Sequence, residues 1–245
     1  MNILITGYTG FIGRNLAERL LLNSTHKLLL AGRNTPEAEL TGYLAECDFV
    51  FHLAAVHRPD DEAAFEQVNV QYFGRLLHIL REKGNSCPVL LTSSVQAGPG
   101  TAYGRSKLAA EALLEAHCGL TGAAGLVYRL TNTFGRYARP NAHSVVATFC
   151  YKSSRNLPVT VHKREAELRL LYIDDVIDDF AAHAGIPAEA GFRFYALPDD
   201  KTAVITVGYL ADKILHFNDA LTQRRAPELA NAFERRLYAT FLSYV

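Results

Sequence analysis

Tyr103 and Lys107 stand four residues apart in the segment Tyr-Gly-Arg-Ser-Lys, at the start of a predicted helix. Residues at positions i and i+4 share a helix face, so the phenol and the ammonium group are expected to project into the same space. A nearby cation favours the phenolate and lowers the pKa of tyrosine from its ordinary value of about 10. Tyr103 is then suited to act as a general acid in ketone reduction, or as a base in the reverse direction. The spacing alone also fits a pair on a helix surface.

A serine precedes this pair at the expected end of a parallel strand, Leu91-Thr92-Ser93-Ser94. A hydroxyl group at that position can polarise a substrate carbonyl. Asn69, in the preceding predicted helix, is expected to support the lysine through a water molecule. We therefore predict that Ser94, Tyr103 and Lys107 are the catalytic residues.

The sequence Gly-Tyr-Thr-Gly-Phe-Ile-Gly follows the first predicted strand and opens the first predicted helix. Its glycines permit a tight turn, close approach of the backbone to a pyrophosphate, and close packing of helix on sheet. The N–H groups and positive dipole end of the helix would face the phosphates. A tight turn without a ligand is the alternative. We predict a dinucleotide site formed by Gly7, Gly10, Phe11, Ile12 and Gly13.

The end of the second predicted strand distinguishes the two nicotinamide dinucleotides. An acidic residue there holds the ribose 2′-hydroxyl of NAD, but the sequence reads Ala31-Gly32-Arg33-Asn34 and has no acid. Arg33 can pair with a 2′-phosphate through charge-assisted hydrogen bonds. The pattern therefore favours NADP(H), and a solvated surface arginine is the alternative.

A second turn, after the third predicted strand, consists of small residues that let the backbone approach a cofactor closely. His52, at the end of that strand, is expected to pack against the sheet and not to bind a ligand. The cofactor contacts predicted outside the glycine turn are Arg33, Leu53, Ala54, Ala55, Tyr103 and Lys107.

The elements that must position these residues alternate between apolar runs and segments of helical period. Strands are predicted over Ile3–Thr6, Leu28–Ala31, Phe49–Leu53, Val89–Thr92 and Leu126–Leu130. Helices are predicted over Phe11–Leu22, Glu37–Glu46, Glu62–Lys83 (ended by Gly84) and Tyr103–His117 (ended by Gly119). This order predicts an α/β fold with a Rossmann-type, doubly wound parallel sheet and ligands at the carboxyl ends of its strands.

The second half has a looser pattern. It predicts a helix over Val145–Lys152, strands over Val159–Val161 and Leu168–Tyr172, and helices after Asp174 and Gly208. We expect one domain, with residues 1–132 as the dinucleotide-binding core. Residues 133–245 would mainly form a small C-terminal substrate-binding lobe over the carboxyl edge of the sheet, with some segments returning to the core.

Composition limits the kind of partner. The 245 residues carry no formal net charge and the pI is about 7.1, so neither nucleic acid nor an anionic membrane is an expected partner. No apolar run approaches the roughly 18 residues of a membrane span. The four cysteines are scattered, which predicts buried thiols and no metal site or disulfide framework. The N-terminal residues read as a strand and not as a secretory leader, so we expect a cytoplasmic protein.

Together these motifs resemble the extended short-chain dehydrogenase/reductase family, which acts mainly on nucleotide sugars. The matching segments are the glycine turn, His52–Ala55, the Ser94/Tyr103/Lys107 triad, Arg129–Gly135 and Tyr172–Val176. The resemblance implies that Asn132 lies near a bound sugar nucleotide and that Asp174 and Asp175 are structural, capping a helix. It also implies a homodimer built on the helices predicted over Glu62–Lys83 and Tyr103–His117.

A narrower likeness is to bacterial capsule and O-antigen reductases that form UDP-2-acetamido-2,6-dideoxy-L-talose. It rests on His57–Pro59, Thr92–Ala97, Arg139–Asn141, Ser144–Lys152 and Phe233–Tyr244. It implies that NADPH reduces the C4 ketone of a UDP-linked 4-keto-6-deoxy amino sugar. Members of that group continue into a cupin domain with a separate C3-epimerising activity, which we do not assign to these residues.

Six residues are candidates for the substrate pocket. Asparagine, glutamine and serine side chains would contact the sugar nucleotide, although these residue types are also favoured in loops and caps. Arginines would pair with the diphosphate, or be ordinary surface residues. The candidates are Gln96, Asn132, Asn141, Ser144, Arg58 and Arg139.

Two intervals depart from the family pattern. The stretch between Arg33 and Phe49 is short, which predicts the loss of a third strand and of an adenine-contacting acid. The stretch from Ser94 to Tyr103 is compact and leaves little room for a covering loop.

The alternatives to a reductase are a C4 epimerase or 4,6-dehydratase that retains NAD, and an NADP-sensing protein without turnover. Val95-Gln96 lacks the acid pair of a dehydratase.

Overall fold

The apolar runs predicted in the first half of the sequence all become strands of one parallel sheet. The computed structural model describes residues 1–22, 25–142 and 144–245. Numbered along the chain, the strands are β1 (Asn2–Thr6), β2 (Lys27–Ala31), β3 (Phe49–His52), β4 (Val89–Ser94), β5 (Ala124–Leu130) and β8 (Gly191–Tyr195). Their order is β2-β1-β3-β4-β5-β8, and each neighbouring pair is parallel. β2 is the outermost strand on its side of this sheet, and the described residues between Arg33 and Phe49 form α2 and no strand.

The chain forms two compact units. The first comprises Met1–Leu130 and Ile177–Ala196, and the second comprises Thr131–Val176 and Leu197–Val245. The first unit contains the whole six-stranded sheet, because β8 returns to it from the second half of the sequence. Its architecture is the Rossmann-type α/β fold that the alternation of strands and helices predicts.

The helices of the first unit cover the sheet with apolar faces. They are α1 (Phe11–Leu21), α2 (Glu37–Glu46), a π-helical segment (Phe65–Gln71) that runs into α3 (Tyr72–Glu82), and α4 (Ala102–Thr121). In α3, Phe73, Leu76 and Leu80 recur at helical spacing and are buried. They belong to the same apolar cluster as Leu4 and Val50 of the sheet.

The prediction of a regular helix over Glu62–Lys83 is wrong for its first half, since Phe65–Gln71 is π-helical. A π-turn has i→i+5 hydrogen bonds and is therefore wider than an α-turn. In this segment the buried side chain of Asn69 forms hydrogen bonds with the backbone of Val56 and with Ser106. Those distant partners are not visible in the local hydrophobic period.

The predicted end of α4 at Gly119 is also wrong. The helix continues to Thr121 and ends at Gly122, which has a φ of 72° and donates its N–H to the carbonyl of Cys118. A left-handed residue after the last turn is the common way to end a helix, and glycine adopts it without steric cost. The later of the two glycines is the one with that geometry.

The second unit has a three-stranded sheet with three helices packed on it. The strands are β6 (Asn132–Phe134), β7 (Glu167–Tyr172) and β9 (Thr202–Thr206), with β7 parallel to β6 and antiparallel to β9. The helices are α5 (Val145–Ser154), α7 (Val207–Thr222) and α8 (Ala232–Leu242). Their core includes Phe134, Phe149, Phe217 and Phe241. The helix α6 (Ile173–His183) begins in this unit and continues into the first.

The strand predicted over Val159–Val161 is wrong. This segment has no regular structure, although Val159 and Val161 both pack against the core of the second unit. Alternating burial can therefore arise where an irregular segment lies across a core. Three short strands were not predicted from the sequence, namely β6, β8 and β9.

Two global expectations can be examined on the described residues. None of their helices is long and apolar enough to cross a membrane. All four cysteines are buried thiols, as predicted. The Sγ atoms of Cys47 and Cys87 lie 3.7 Å apart.

Candidate active site

The three predicted catalytic residues come together where the end of β4 meets the start of α4. The helix begins here because the Thr101 side chain caps it, accepting a hydrogen bond from the N–H of Gly104 at 2.9 Å. The Tyr103 hydroxyl is hydrogen-bonded to Ser94. The Lys107 Nζ donates to the carbonyl oxygen of Thr92 at 3.0 Å. The i, i+4 spacing of Tyr103 and Lys107 thus sets both side chains against the last residues of β4, with Tyr103 at Ser94 and Lys107 at Thr92.

Gly104, inside the Tyr-x-x-x-Lys motif, is a functional position that the sequence reasoning missed. A Cβ atom there would lie 2.5 Å from the carbonyl oxygen of Gln96 and 2.8 Å from that of Gly98. The loop after Ser94 therefore crosses the first turn of α4 at backbone contact. This close approach explains how the compact interval from Ser94 to Tyr103 can be closed.

The electrostatics of the tyrosine differ from the sequence expectation. Burial raises the pKa of Tyr103, and the hydrogen bond from Ser94 lowers it only in part. The expected lowering by Lys107 was wrong for this geometry, in which the Nζ lies 5.8 Å from the centroid of the phenol ring. Burial also lowers the pKa of Lys107 to about 8, against a raising effect of Glu111.

Asn69 has direct hydrogen-bond partners on the backbone of Val56 and on the side chain of Ser106. Its Oδ1 accepts from the N–H of Val56 at 2.8 Å. Its Nδ2 donates to the Val56 carbonyl at 3.0 Å and to Ser106 Oγ at 2.9 Å. Ser106 Oγ in turn donates to the carbonyl of Tyr103 at 2.8 Å. Asn69 therefore supports the turn of α4 that carries the tyrosine.

The glycine turn brings backbone segments into close contact at Gly7 and Gly13. Gly7 has a φ of +70°, and a Cβ atom on it would lie 2.7 Å from the backbone nitrogen of Ala54. A Cβ atom on Gly13 would lie 2.3 Å from the carbonyl oxygen of Gly7. Helix α1 then begins at Phe11 with Gly10 at its N-cap and no acidic residue in its first turn. Its first N–H groups lack intrahelical acceptors and are suited to an anion.

The second predicted turn lies beside the first. The N–H of Leu53 donates to the carbonyl of Thr6 at 3.3 Å, and the N–H of Ala54 donates to its Oγ1 at 3.3 Å. His52 is buried, with its Nδ1 3.0 Å from Thr6 Oγ1 and its ring stacked on Phe73. Burial, and then the charge of Lys107, lower the pKa of His52 to about 3. The prediction that His52 packs against the sheet is confirmed.

The other predicted contacts are distributed over both units. Ala55, Arg33, Gln96 and Arg58 are exposed in the first unit. Arg33 comes two residues after the end of β2. The backbone N–H of Gln96 donates to Ser94 Oγ at 3.1 Å, so the serine oxygen is oriented by its own loop.

The remaining substrate candidates belong to the second unit. Asn132 lies on β6 and is exposed, as are Arg139 and Asn141. Ser144 caps α5, accepting from the N–H of Ala147 at 3.2 Å. The hydroxyl of Ser144 therefore acts as a helix cap, the alternative to a substrate contact that its residue type also allowed.

Asp174 and Asp175 lie in the first turn of α6, which begins at Ile173. The carboxylate of Asp175 accepts a hydrogen bond from Arg236 at 2.8 Å. A structural role for Asp175 agrees with this ion pair, although its place is inside the helix and not at the cap.

Three further residues near the site were missed. The imidazole of His57 lies edge-on to the ring of Tyr103, with centroids 4.4 Å apart. Glu111 and Arg129 form a bidentate ion pair beside β4. His57 and Arg129 lie in segments that carry the sequence resemblances, and Glu111 follows Lys107 by four residues on the same helix face, but no role in the site was predicted for any of the three.

Comparison with known proteins places this site in a family. A model of the NAD dependent epimerase/dehydratase family matches residues 3–185, a stretch that holds the glycine turn, Ser94, Tyr103 and Lys107. The chain belongs to this family. As a member of the epimerase/dehydratase family, it shares its fold with NAD-bound UDP-glucose 4-epimerase from Thermus thermophilus, at a TM-score of 0.79 and 17% identity.

Two relatives of this epimerase/dehydratase family member are nearer in sequence. UDP-2-acetamido-2,6-beta-L-arabino-hexul-4-ose reductase of Pseudomonas aeruginosa is 33% identical over 245 residues, covering 100% of this chain and 65% of that protein. The crystal structure of capsular polysaccharide assembling protein CapF from Staphylococcus aureus superimposes at a TM-score of 0.86. It is 38% identical over 100% of this chain and 65% of that one. The chain therefore spans about 65% of the length of both relatives.

Proposed function

We propose that this protein is an NADPH-dependent reductase of the C4 ketone of a UDP-linked 4-keto-6-deoxy-N-acetyl amino sugar. Its place would be in the synthesis of a bacterial surface polysaccharide. The observation that carries the proposal is the Tyr103–Ser94 hydrogen bond at the end of β4, with the Lys107 ammonium on the same helix face. The similarity to the Pseudomonas aeruginosa reductase, over 100% of this chain and 65% of that protein, supports the choice of substrate class.

Residues of the first unit would hold the cofactor. The N–H groups at the start of α1 would bind the diphosphate, close to the turn at Ala54. Arg33, exposed after β2, would pair with the 2′-phosphate, and this contact is our reason for proposing NADP(H) over NAD. Bound there, NADPH supplies the hydride for the ketone carbon.

The chain's own groups then handle the proton. Tyr103 donates its phenolic proton to the developing alkoxide oxygen, and the raised pKa keeps that proton in place at neutral pH until it is needed. Ser94 Oγ orients the carbonyl by hydrogen bonding. Lys107 holds the ribose of the cofactor and places a positive charge near the phenol.

For the sugar nucleotide, we propose contacts from Gln96, Asn132 and Asn141, with Arg58 and Arg139 near the diphosphate. The exposure of all five side chains supports this role. We further propose a cytoplasmic homodimer, for which light scattering in solution gives the test. A monomeric mass would remove the dimer without affecting the proposed chemistry.

The experiment follows NADPH absorbance with a UDP-linked 4-keto-6-deoxy-N-acetylhexosamine as substrate. We expect prompt oxidation of NADPH, slower oxidation of NADH, and one equivalent of reduced sugar by mass spectrometry. Conversion of a UDP-hexose to its C4 epimer without consumption of added NADPH would instead identify an epimerase. Tight NADPH binding without turnover of either sugar would contradict the proposed substrate.

A further inference from the structure

The face of α4 that carries the catalytic pair continues one step further to Glu111. The side chain of Glu111 is buried at 4% exposure. Its Oε1 accepts hydrogen bonds from Ser93 Oγ at 2.5 Å and from Arg129 Nε at 2.9 Å. Its Oε2 accepts from Arg129 Nη2 at 2.6 Å. Both oxygens of this carboxylate are therefore engaged by two neighbouring strands.

These contacts lock the end of β4 to the helix residue by residue. Lys107 bonds the carbonyl of Thr92, Glu111 bonds the hydroxyl of Ser93, and Tyr103 bonds the hydroxyl of the next residue. Ser93 is also the residue that faces Arg129 across the β4–β5 pairing. Glu111 thus joins α4, β4 and β5 directly beside the Tyr103 hydrogen bond.

The carboxylate also supplies charge to a buried cation. Burying an ionised group costs several kcal/mol unless its charge is compensated, and Lys107 is 5% exposed. Of the described groups around Lys107, Glu111 and Tyr103 share its helix, and His52 faces it from β3. From the π-helical segment, the neutral side chain of Asn69 contacts α4 at Ser106. From β8, the apolar ring of Phe194 lies against Arg129, with the guanidinium carbon 4.7 Å from the ring centroid. Glu111 is the anionic member of this set.

We propose that Glu111, paired with Arg129, is a positioning residue of the reduction. It holds the serine-bearing end of β4 on α4 and provides the buried negative charge that keeps Lys107 an ammonium ion. The inference rests on the proposed function for its effect on turnover. Its effect on Lys107 is independent of any sugar, because the proposed partner of Lys107 is the cofactor ribose.

The test compares Glu111→Gln with the parent protein over a pH series. Kd for NADPH is measured by fluorescence without sugar, and kcat is measured with the keto sugar. Loss of a neighbouring opposite charge shifts a pKa by about one unit or more. We therefore expect the alkaline midpoints of the pH profiles of Kd for NADPH and of kcat to move to lower pH by about one unit. At the acidic end of the series, Kd and kcat of the variant should be near those of the parent. Glu37→Gln is the control, since Glu37 also accepts hydrogen bonds from the Nε and Nη2 of an arginine, Arg75, but this pair is exposed.

Two results would overturn the proposal. One is an unchanged alkaline midpoint for NADPH binding. The other is an equal loss at every pH, which is what a purely structural role would give. If Glu111→Gln does not fold, the double variant Glu111→Leu/Arg129→Met removes the pair without leaving a lone charge, and the same downward movement of the midpoint is expected. If the midpoint of NADPH binding moves as expected but the keto sugar is not turned over, the result supports the role of Glu111 toward Lys107 and contradicts the proposed substrate.

Discussion

The Nζ of Lys107 lies 3.0 Å from the carbonyl oxygen of Thr92, so a buried ammonium group closes the junction between α4 and β4. The carbonyl compensates part of the desolvation that lowers the pKa of Lys107 to about 8. The same lysine therefore has a structural contact on one side and, in our proposal, the cofactor on the other.

Replacing Tyr103 with Phe removes the proposed proton donor and keeps the ring against His57. We expect kcat to fall by about 10²- to 10⁴-fold, the usual contribution of general acid catalysis. Kd for NADPH should change little, because the ring still fills its place. Tyr43→Phe, which removes a hydroxyl bonded to the Glu39 carboxylate on α2, is the control. Retained turnover in Tyr103→Phe would reject the assignment.

Replacing Arg33 with Ala tests cofactor preference. A hydrogen bond to a charged group contributes about 1.5–3 kcal/mol, so Kd for NADPH should rise by about 10- to 100-fold. Kd for NADH, which lacks the 2′-phosphate, should stay the same. Arg19→Ala removes another exposed arginine, paired with Asp178 at 2.9 Å, and should alter neither. Equal weakening of both cofactors would show that Arg33 does not read the 2′-phosphate.

Gly13→Ala places a methyl group where the structure has no space. Its Cβ would lie 2.3 Å from the carbonyl of Gly7, so the turn must open, and we expect loss of NADPH binding and a lower Tm. Gly42→Ala is the matched control, since nothing lies within 4 Å of its added Cβ. That exposed helical site should gain up to about 1 kcal/mol in stability. Normal NADPH affinity in Gly13→Ala would contradict the phosphate role of this turn.

Lys107→Met tests the buried charge through stability. The folded-state pKa of about 8 is below the ordinary value of 10.5, so between these values the unfolded chain binds more protons than the folded one. Parental stability therefore carries the full cost of the charge below pH 8 and recovers as pH rises toward 10.5. We expect the stability difference, variant minus parent, to shrink over this range in urea titrations. A difference that does not vary with pH would argue against a buried, charged lysine.

Asn69→Ala removes the side chain that joins Val56 to Ser106. Leaving buried partners without their hydrogen bonds costs about 1–3 kcal/mol, and we expect a loss of stability in that range together with reduced kcat. Asn218→Ala, which breaks an exposed bond to Asn156, should cost much less. A kcat equal to that of the parent would show that the tyrosine turn does not need this support.

The parts of the site that the sequence predicts are those that depend on local spacing. The glycine turn and the Tyr103–Lys107 pair each lie within one strand–turn–helix segment, so period and residue type suffice. The Glu111–Arg129 pair and the approach of Gly104 to Gln96 depend on how separate segments pack. The pKa direction of Tyr103 was wrong for a related reason, because spacing reveals the neighbouring cation but not the burial that outweighs it.

The fold follows the same division. Strands buried in the centre of the first sheet, such as β3, are strongly apolar and were located within a residue or two. In contrast, β9 contains the exposed Val204, and none of its five residues is fully buried. Its place in a sheet is decided by pairing with β7, and such pairing has no local sequence signal.

The backbone contact between Gly7 and Ala54 couples two turns that are far apart in the sequence, so that neither can move without the other. A side chain added at Gly7 has to displace the other turn, so both parts of the cradle must change together or remain as they are. Arg33 stands apart from this constraint, just beyond the outermost strand of its sheet. If the proposed cofactor contacts hold, the preference between NADPH and NADH can therefore be changed by substitutions after β2 alone, without altering the turn proposed to bind the diphosphate.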